Sequence, residues 1–172
     1  QAQIHRGPDD EGYYAAGSIS LSTCRLAIID LARGLYPLHN EEGTLHLVFN
    51  GEIYDFRMIR EELERCGHRF TSKTDAEVIV HCYEQWGIEC LEKLNGMFAF
   101  ALWDEPKQKL WIVRDHLGIK PLYYYQSREF FSFGSEIRAL LAHPGLSCSP
   151  NESVIKKYLY TGQVDDTENT FF

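Results

Sequence analysis

Apolar positions along the chain change their period several times, and each change marks an element. Residues 1–12 are polar, with Gly7-Pro8 as a breaker, and read as a loop. Residues 13–20 and 25–31 read as strands, the second (RLAIIDL) carrying a β-branched apolar stretch. A loop around Pro37 spans 34–43, and LHLVFN at 45–50 predicts a strand that runs straight into Gly51-Glu52. From Asp55 the period becomes helical. Phe56, Ile59 and Leu63 share a face, and Gly67 ends the helix. A second helix buries Val78, Ile79, Cys82 and Trp86 and closes at Gly87. Thr74 and Glu77 have the spacing of a capping box at its start. Residues 88–94 predict a short third helix.

Strands dominate afterwards. MFAFALW at 97–103 is apolar at nearly every position, as expected of a strand covered on both faces. LWIVRD at 110–115 is its hairpin partner across Glu105-Pro106-Lys107, and 121–126 with 129–134 form a second pair. Ser135 opens a helix with Ile137, Leu140 and Leu141, and Asn151 or Ser153 opens the last one. Strand pairs with grouped helices argue for an α+β fold, not alternating parallel units.

Composition narrows the function. A length of 172 residues with 44% apolar side chains suits one globular domain. A net charge of −8 argues against a nucleic-acid partner, and no apolar run approaches the ~20 residues of a membrane span. The five cysteines (24, 66, 82, 90, 148) are odd in number and contain no C-x-x-C pair. They predict reduced thiols in a cytoplasmic protein and neither a disulfide framework nor a cysteine zinc site. Histidines are scattered without H-E-x-x-H, so no metal is expected. Gln1 is not an initiator methionine, and the sequence reads as cut from a longer protein.

Six segments carry the chemistry in order: HRGPDDEG (5–12), CRLAIID (24–30), NGEIYDF (50–56), KTDAEVI (73–79), LNGMFAFALWD (94–104) and RDHLGIKPLYY (114–124). Together they resemble the class II glutamine amidotransferase domain of glutamine-dependent asparagine synthases, an N-terminal-nucleophile fold. The resemblance implies a four-layer α/β/β/α sandwich of two stacked, mainly antiparallel sheets over residues 1–162. Residues 163–172 would begin the connection to a C-terminal synthetase domain. That domain, with its ATP and Mg²⁺, is expected outside this chain, and no cofactor is expected within it. The implied partners are L-glutamine and the synthetase domain, with a homodimer possible.

The resemblance also assigns residues. A glutamine zwitterion needs a bidentate donor for its carboxylate, a fixed acid for its ammonium, and converging donors for the oxyanion. Arg25 would bind the carboxylate and Asp75 the ammonium. The Asn50 side-chain amide and the Gly51 backbone N–H would form the oxyanion hole. Glu52, Ile28 and Ile29 would line the pocket. Each has a plainer reading: Asp75 as a first-turn helix acid, Arg25 as a solvated charge, Asn50-Gly51 as a turn. Arg6 with Asp9, or Arg114 with Asp115, would pair to hold loops. The sequence departs from the family pattern in three ways. Thr23 stands where the family usually has His, and Asp55 stands where it has Asn. The family's initial Met-Cys-Gly-Ile is not found, so the nucleophilic cysteine is missing and the isolated chain is expected to be inactive; the rival readings are the same glutaminase serving another acceptor (a sugar or a secondary-metabolite carboxylate) and a non-catalytic glutamine-binding domain. Cys24, beside Arg25 on a strand, is expected to face away from the pocket.

Overall fold

The central strand pair explains most of the architecture. In the computed structural model, which describes residues 2–8, 10–25, 37–164 and 169–171 (side chains of Asp10 and Arg25 excepted), β4 is Leu45–Ile53 and β5 is Gly96–Asp104. They pair antiparallel along their whole length, from Leu45 opposite Asp104 to Ile53 opposite Gly96. Side chains alternate between faces on both strands. Leu45, Leu47 and Ile53 join Phe98, Phe100 and Leu102 in one buried cluster, whereas Val48 joins Ala101 and Trp103 in another. A short β3 (Leu38–His39) flanks β4, and β6 (Lys109–Arg114) flanks β5, giving the order β3-β4-β5-β6.

Helices cover the first face. In α1 (Phe56–Arg65) Ile59 and Leu63 are buried, and α2 (Glu77–Trp86) buries Val78, Ile79 and Cys82 against the same strands. Residues 87–93 continue as a 3₁₀ turn. Two hairpins cover the other face. β1 (Asp10–Ala16) pairs with β2 (Ile19–Arg25), which inserts Leu21 next to Val48 and Ala101. β7 (Tyr123–Gln126) pairs with β8 (Phe131–Gly134), which contributes Phe133. The short α3 (Ile137–Leu141) packs on β7 and β8. The layers are therefore α/β/β/α, as the resemblance implies. Among the described residues the second β layer is two separate two-stranded pieces. The last helix, α4 (Glu152–Thr161), is opened by Asn151, whose side chain accepts from the Val154 N–H.

Several local expectations are corrected. The strand expected at 13–20 is two arms of a hairpin that turns at Gly17, whose φ of 56° suits the tight two-residue link between Ala16 and Ile19. The expected loop at 1–12 contains a 3₁₀ turn (Ile4–Arg6) and the start of β1. The expected strand at 25–31 overlaps β2 only at Arg25, and 26–31 lie outside the described residues. β3 sits inside the expected loop at 34–43. α3 starts after Glu136, not at Ser135. The capping box does not form: α2 starts after Ala76 with no side-chain cap. Glu77 instead accepts from the N–H and hydroxyl of Thr71 (2.6 and 2.9 Å) and of Ser72 (2.7 and 2.5 Å). Its carboxylate closes the turn before the helix, so Asp75 lies outside the first turn.

Candidate active site

The strand that begins as apolar core ends in polar residues without losing its partner. Asn50, Gly51, Glu52 and Ile53 remain paired with Ala99, Phe98, Met97 and Gly96, so β4 outlasts the expected end at residue 50. Asn50-Gly51 is thus no turn. The close approach requires glycine at both ends. A Cβ on Gly51 would lie 2.1 Å from the Met97 carbonyl oxygen, and one on Gly96 2.2 Å from that of Glu52. By alternation Asn50 and Glu52 share the face of Val48, turned toward the hairpin layer.

Hydrogen bonding along this segment fixes where its donors point. Phe98 directs both backbone groups to the β6 side: its N–H donates to Asp115 Oδ2 (3.2 Å) and its carbonyl accepts from the Asp115 N–H (2.7 Å). Gly51, opposite Phe98, therefore turns its own N–H to the other edge of β4. Two residues on, the Ile53 N–H leaves by that same edge and donates to Asp75 Oδ2 at 2.8 Å. Asp75 and the Gly51 N–H are thus placed along one strand edge by the two-residue repeat.

Asp75 is buried, and no cation among the described residues forms an ion pair with it. Burial pushes its carboxyl pKa above the ordinary carboxylate range, and the nearby Glu52 carboxylate pushes the same way. The N–H groups of Ile53, Asp75 and Ala76 oppose them without overcoming them. Two acids side by side, one of them buried, form a site that favours a cation. Asn50 is half-buried, and its Nδ2 reaches toward Ser135 Oγ at 3.5 Å, a contact at the limit of hydrogen bonding. Asn50, Gly51, Glu52 and Asp75 all border one cleft of ≈ 530 Å³, within the size range of small-ligand sites. The cleft lies between the central sheet and the hairpins, with β2 on one side and β8 on the other.

Not every expected site residue can be placed. Arg25 ends β2 opposite Asp10, but its side chain, together with Ile28 and Ile29, falls outside the described residues. Cys24 was expected to face away; it borders the cleft. The cleft follows the edge of β2, so neighbouring residues of both orientations (Ser22, Thr23, Cys24) reach it. Ser135 was not anticipated, because it enters the site from a distant segment without any local motif. The thiols of Cys82 and Cys90 are buried, and burial pushes both pKa values up, that of Cys90 to about 12. Neither is a reactive thiolate.

The two remaining motifs hold loops, with partners other than those expected. Arg6 bonds Glu136 at 3.1 Å, in a cluster that also includes His5 and Arg138, while Asp9 lies outside the described residues. Arg114 and Asp115 do not pair with each other. Arg114 donates to the Gly118 and Lys120 carbonyls (2.6 Å each), and Asp115 accepts from the Leu117, Ile119 and Lys120 N–H groups (3.1, 2.9 and 2.9 Å).

Comparison with known proteins identifies the family and the fold. A family model described as a glutamine amidotransferase domain matches residues 1–172. The chain is 42% identical over 140 residues to asparagine synthetase [glutamine-hydrolyzing] 2 of Bacillus subtilis, covering 81% of this chain and 18% of that protein. It is 44% identical over 139 residues to asparagine synthetase B [glutamine-hydrolyzing] of Escherichia coli, covering 80% and 25%. It is also 38% identical over 141 residues to the amidase chry2 of Gibberella zeae, covering 80% and 21%. The chain thus spans a quarter or less of the length of these relatives. Among solved structures, the B. subtilis glutamine phosphoribosylpyrophosphate amidotransferase complexed with ADP and GMP shares the fold. The match has a TM-score of 0.59 and 23% identity over 70% of this chain and 28% of that one. No helix of the described residues is long and apolar enough to cross a membrane.

Proposed function

This chain belongs to the glutamine amidotransferase domain family, and on that premise we propose that it is the glutaminase part of a glutamine-hydrolysing asparagine synthase. Ammonia released here passes to a synthetase domain outside these residues, where ATP and Mg²⁺ serve the amidation of aspartate. The observation that carries the substrate reading is Asp75: a buried carboxylate with no cation paired to it among the described residues, tied to the edge of β4 that also presents the Gly51 N–H.

In this reading the glutamine ammonium lies against Asp75 and Glu52, and Arg25 takes its carboxylate. Ile28 and Ile29 complete the pocket wall. The side-chain amide then extends past Asn50 and Gly51. When a thiolate adds to the amide carbon, charge develops on the carbonyl oxygen, where the Asn50 Nδ2–H and the Gly51 N–H stabilise it. The C–N bond breaks as the nitrogen gains a proton and leaves as ammonia, and water hydrolyses the thioester to glutamate. None of the five cysteines supplies that thiol together with a free α-amine.

The test is ammonia release by the longer protein that carries this domain. Asn50→Ala lowers turnover roughly 10²–10³-fold with little change in KM. Arg25→Ala acts mainly on glutamine binding, by about 2–5 kcal/mol for the carboxylate left unpaired. An Asn50→Ala enzyme altered only in KM would refute the oxyanion role. A second reading, the same glutaminase serving a different acceptor, draws on the similarity to an amidase not named as a synthetase. Identifying the amidated product formed with aspartate and ATP separates the two.

A further inference from the structure

A second group of side chains converges where α2 meets the loops before it. Glu41, His68, His81 and Glu84 each direct one ligand atom inward, and these atoms all lie within 4.8 Å of one another. His81 Nδ1 is 3.4 Å from Glu41 Oε2 and 3.8 Å from Glu84 Oε2. His68 Nδ1 is 3.5 Å from Glu84 Oε2 and 3.8 Å from Glu41 Oε1. His81 is 1% exposed, yet neither ring nitrogen has a hydrogen-bond partner. An orphaned buried imidazole is costly, and its Nδ1 faces two carboxylates that repel each other unless a cation sits between them.

The atoms behind the quartet are already engaged. Glu84 Oε1 accepts from Asn40 Nδ2 (3.0 Å), and Glu41 Oε1 accepts from the Arg69 N–H (2.7 Å). His68 Nε2 lies 3.1 Å from Gln85 Oε1, and His81 Nε2 lies 3.7 Å from Glu77 Oε1. Outer partners of this kind orient metal ligands: Gln85 backs His68 within hydrogen-bond distance, whereas Glu77 lies beyond that distance from His81 Nε2. A tetrahedron with bonds of about 2.0–2.1 Å has ligand-to-ligand edges of about 3.3 Å. With Glu41 Oε1 held by the Arg69 N–H, the edges His81 Nδ1–Glu41 Oε2 (3.4 Å), His68 Nδ1–Glu84 Oε2 (3.5 Å) and His81 Nδ1–Glu84 Oε2 (3.8 Å) lie close to that value, and with all four ligand atoms within 4.8 Å of one another the quartet draws in slightly around an ion. A surface cleft bordered by Glu41, His68 and Glu84 gives an ion a way in.

We propose that Glu41, His68, His81 and Glu84 bind a divalent first-row transition ion, Zn²⁺ above all. Two imidazoles with two carboxylates suit this class. Four protein ligands leave no open position, so the site is structural. His68 and His81 bracket the turn that carries Asp75, and the ion clamps both ends of that segment. The quartet escapes sequence motifs because its ligands come from three separate segments.

The experiment strips the purified protein with EDTA and titrates it with ZnCl₂ against a competing chelator. Metal content and melting are measured beside the titration, and Co²⁺ serves as a spectroscopic probe. One equivalent of Zn²⁺ binds and raises the Tm, and Co²⁺ gives the intense visible bands of four-coordination. His68→Ala and Glu84→Gln, both at the cleft surface, each weaken Zn²⁺ at least about tenfold and abolish the Tm rise. They are chosen over His81→Ala because removing a buried side chain can unfold the protein. Wild-type Zn²⁺ affinity in both variants, or no Zn²⁺-dependent change in Tm, would overturn the proposal and leave the quartet as ion pairs only.

Discussion

Asp75 and Glu77 are two acids in one turn whose surroundings move them in opposite directions. Burial acts upward on both. For Glu77 the nearby His81 imidazole, the Ser72 hydroxyl and the Thr71 and Ser72 N–H groups overcome it and hold the carboxyl at about 2. For Asp75 the N–H donors do not overcome it, and the pKa stays raised. A raised carboxylate pKa means that the fold disfavours the charged form. Below the ordinary value both the folded and the unfolded chain are protonated, and Asp75 has no effect on stability. As pH rises through the raised value, stability falls, and at neutral pH Asp75 weakens the fold. Asp75→Asn keeps an acceptor for the Ile53 N–H. It should leave the Tm at pH 7 unchanged or higher, with the difference fading as pH is lowered through the carboxylate range, and it should abolish glutamine binding. A first-turn acid would behave oppositely, losing a few tenths of a kcal/mol and no affinity. Melts across pH beside a glutamine titration decide between the two.

At the scale of elements, the parts legible in the sequence were those where one period dominates. The stripe of α1 and the apolar run of β5 each bury a face that a repeat can reveal. The failures occurred where one pattern serves two geometries. Tyr13 to Ile19 keeps a strand-like composition through the turn at Gly17, so a hairpin reads as one strand. Thr74 and Glu77 have capping-box spacing, but the preceding turn offers Glu77 four donors at once, and it takes those. Asn50-Gly51 is a strong hairpin signal, yet here it lies in a strand pressed against its neighbour, and the Met97 carbonyl behind Gly51 exists only in three dimensions. The assignment of Glu77 has a consequence. Glu77→Ala strands the N–H and hydroxyl groups of Thr71 and Ser72 and should cost about 2–4 kcal/mol. Loss of a mere helix cap would cost about 1 kcal/mol. Denaturant unfolding distinguishes them, and a cost of 1 kcal/mol or less would return Glu77 to a capping role.

At the scale of the molecule, the cleft is assembled from β2, β4, the turn before α2, and β8, segments that no local window joins. Family resemblance could name Asn50, Gly51, Glu52 and Asp75 together, whereas the residues alone left each with an ordinary alternative. The two faces of the central sheet are unequal. Among the described residues, the helical face carries an extensive buried cluster from β4, β5, α1 and α2, and the hairpin face is centred on Leu21, Val48, Ala101 and Trp103. Local opening follows the amount of buried apolar contact. The two hairpins should therefore open at lower free energy than the central sheet and α2, although all belong to one domain. Amide hydrogen exchange tests this. Without ligand, β1–β2 and β7–β8 should exchange at least about tenfold faster than β4, β5 and α2. In the proposed site glutamine would bind only the state in which β4 and the Asp75 turn are in place, so mass action should slow exchange in the segments that touch it. Protection should rise at 50–53, at 73–76 and along β2, while β7, away from the cleft, gains little. Uniform exchange across both faces would show that the two clusters open as one unit. Glutamine protection confined to the surface of α1 would place the ligand outside the cleft.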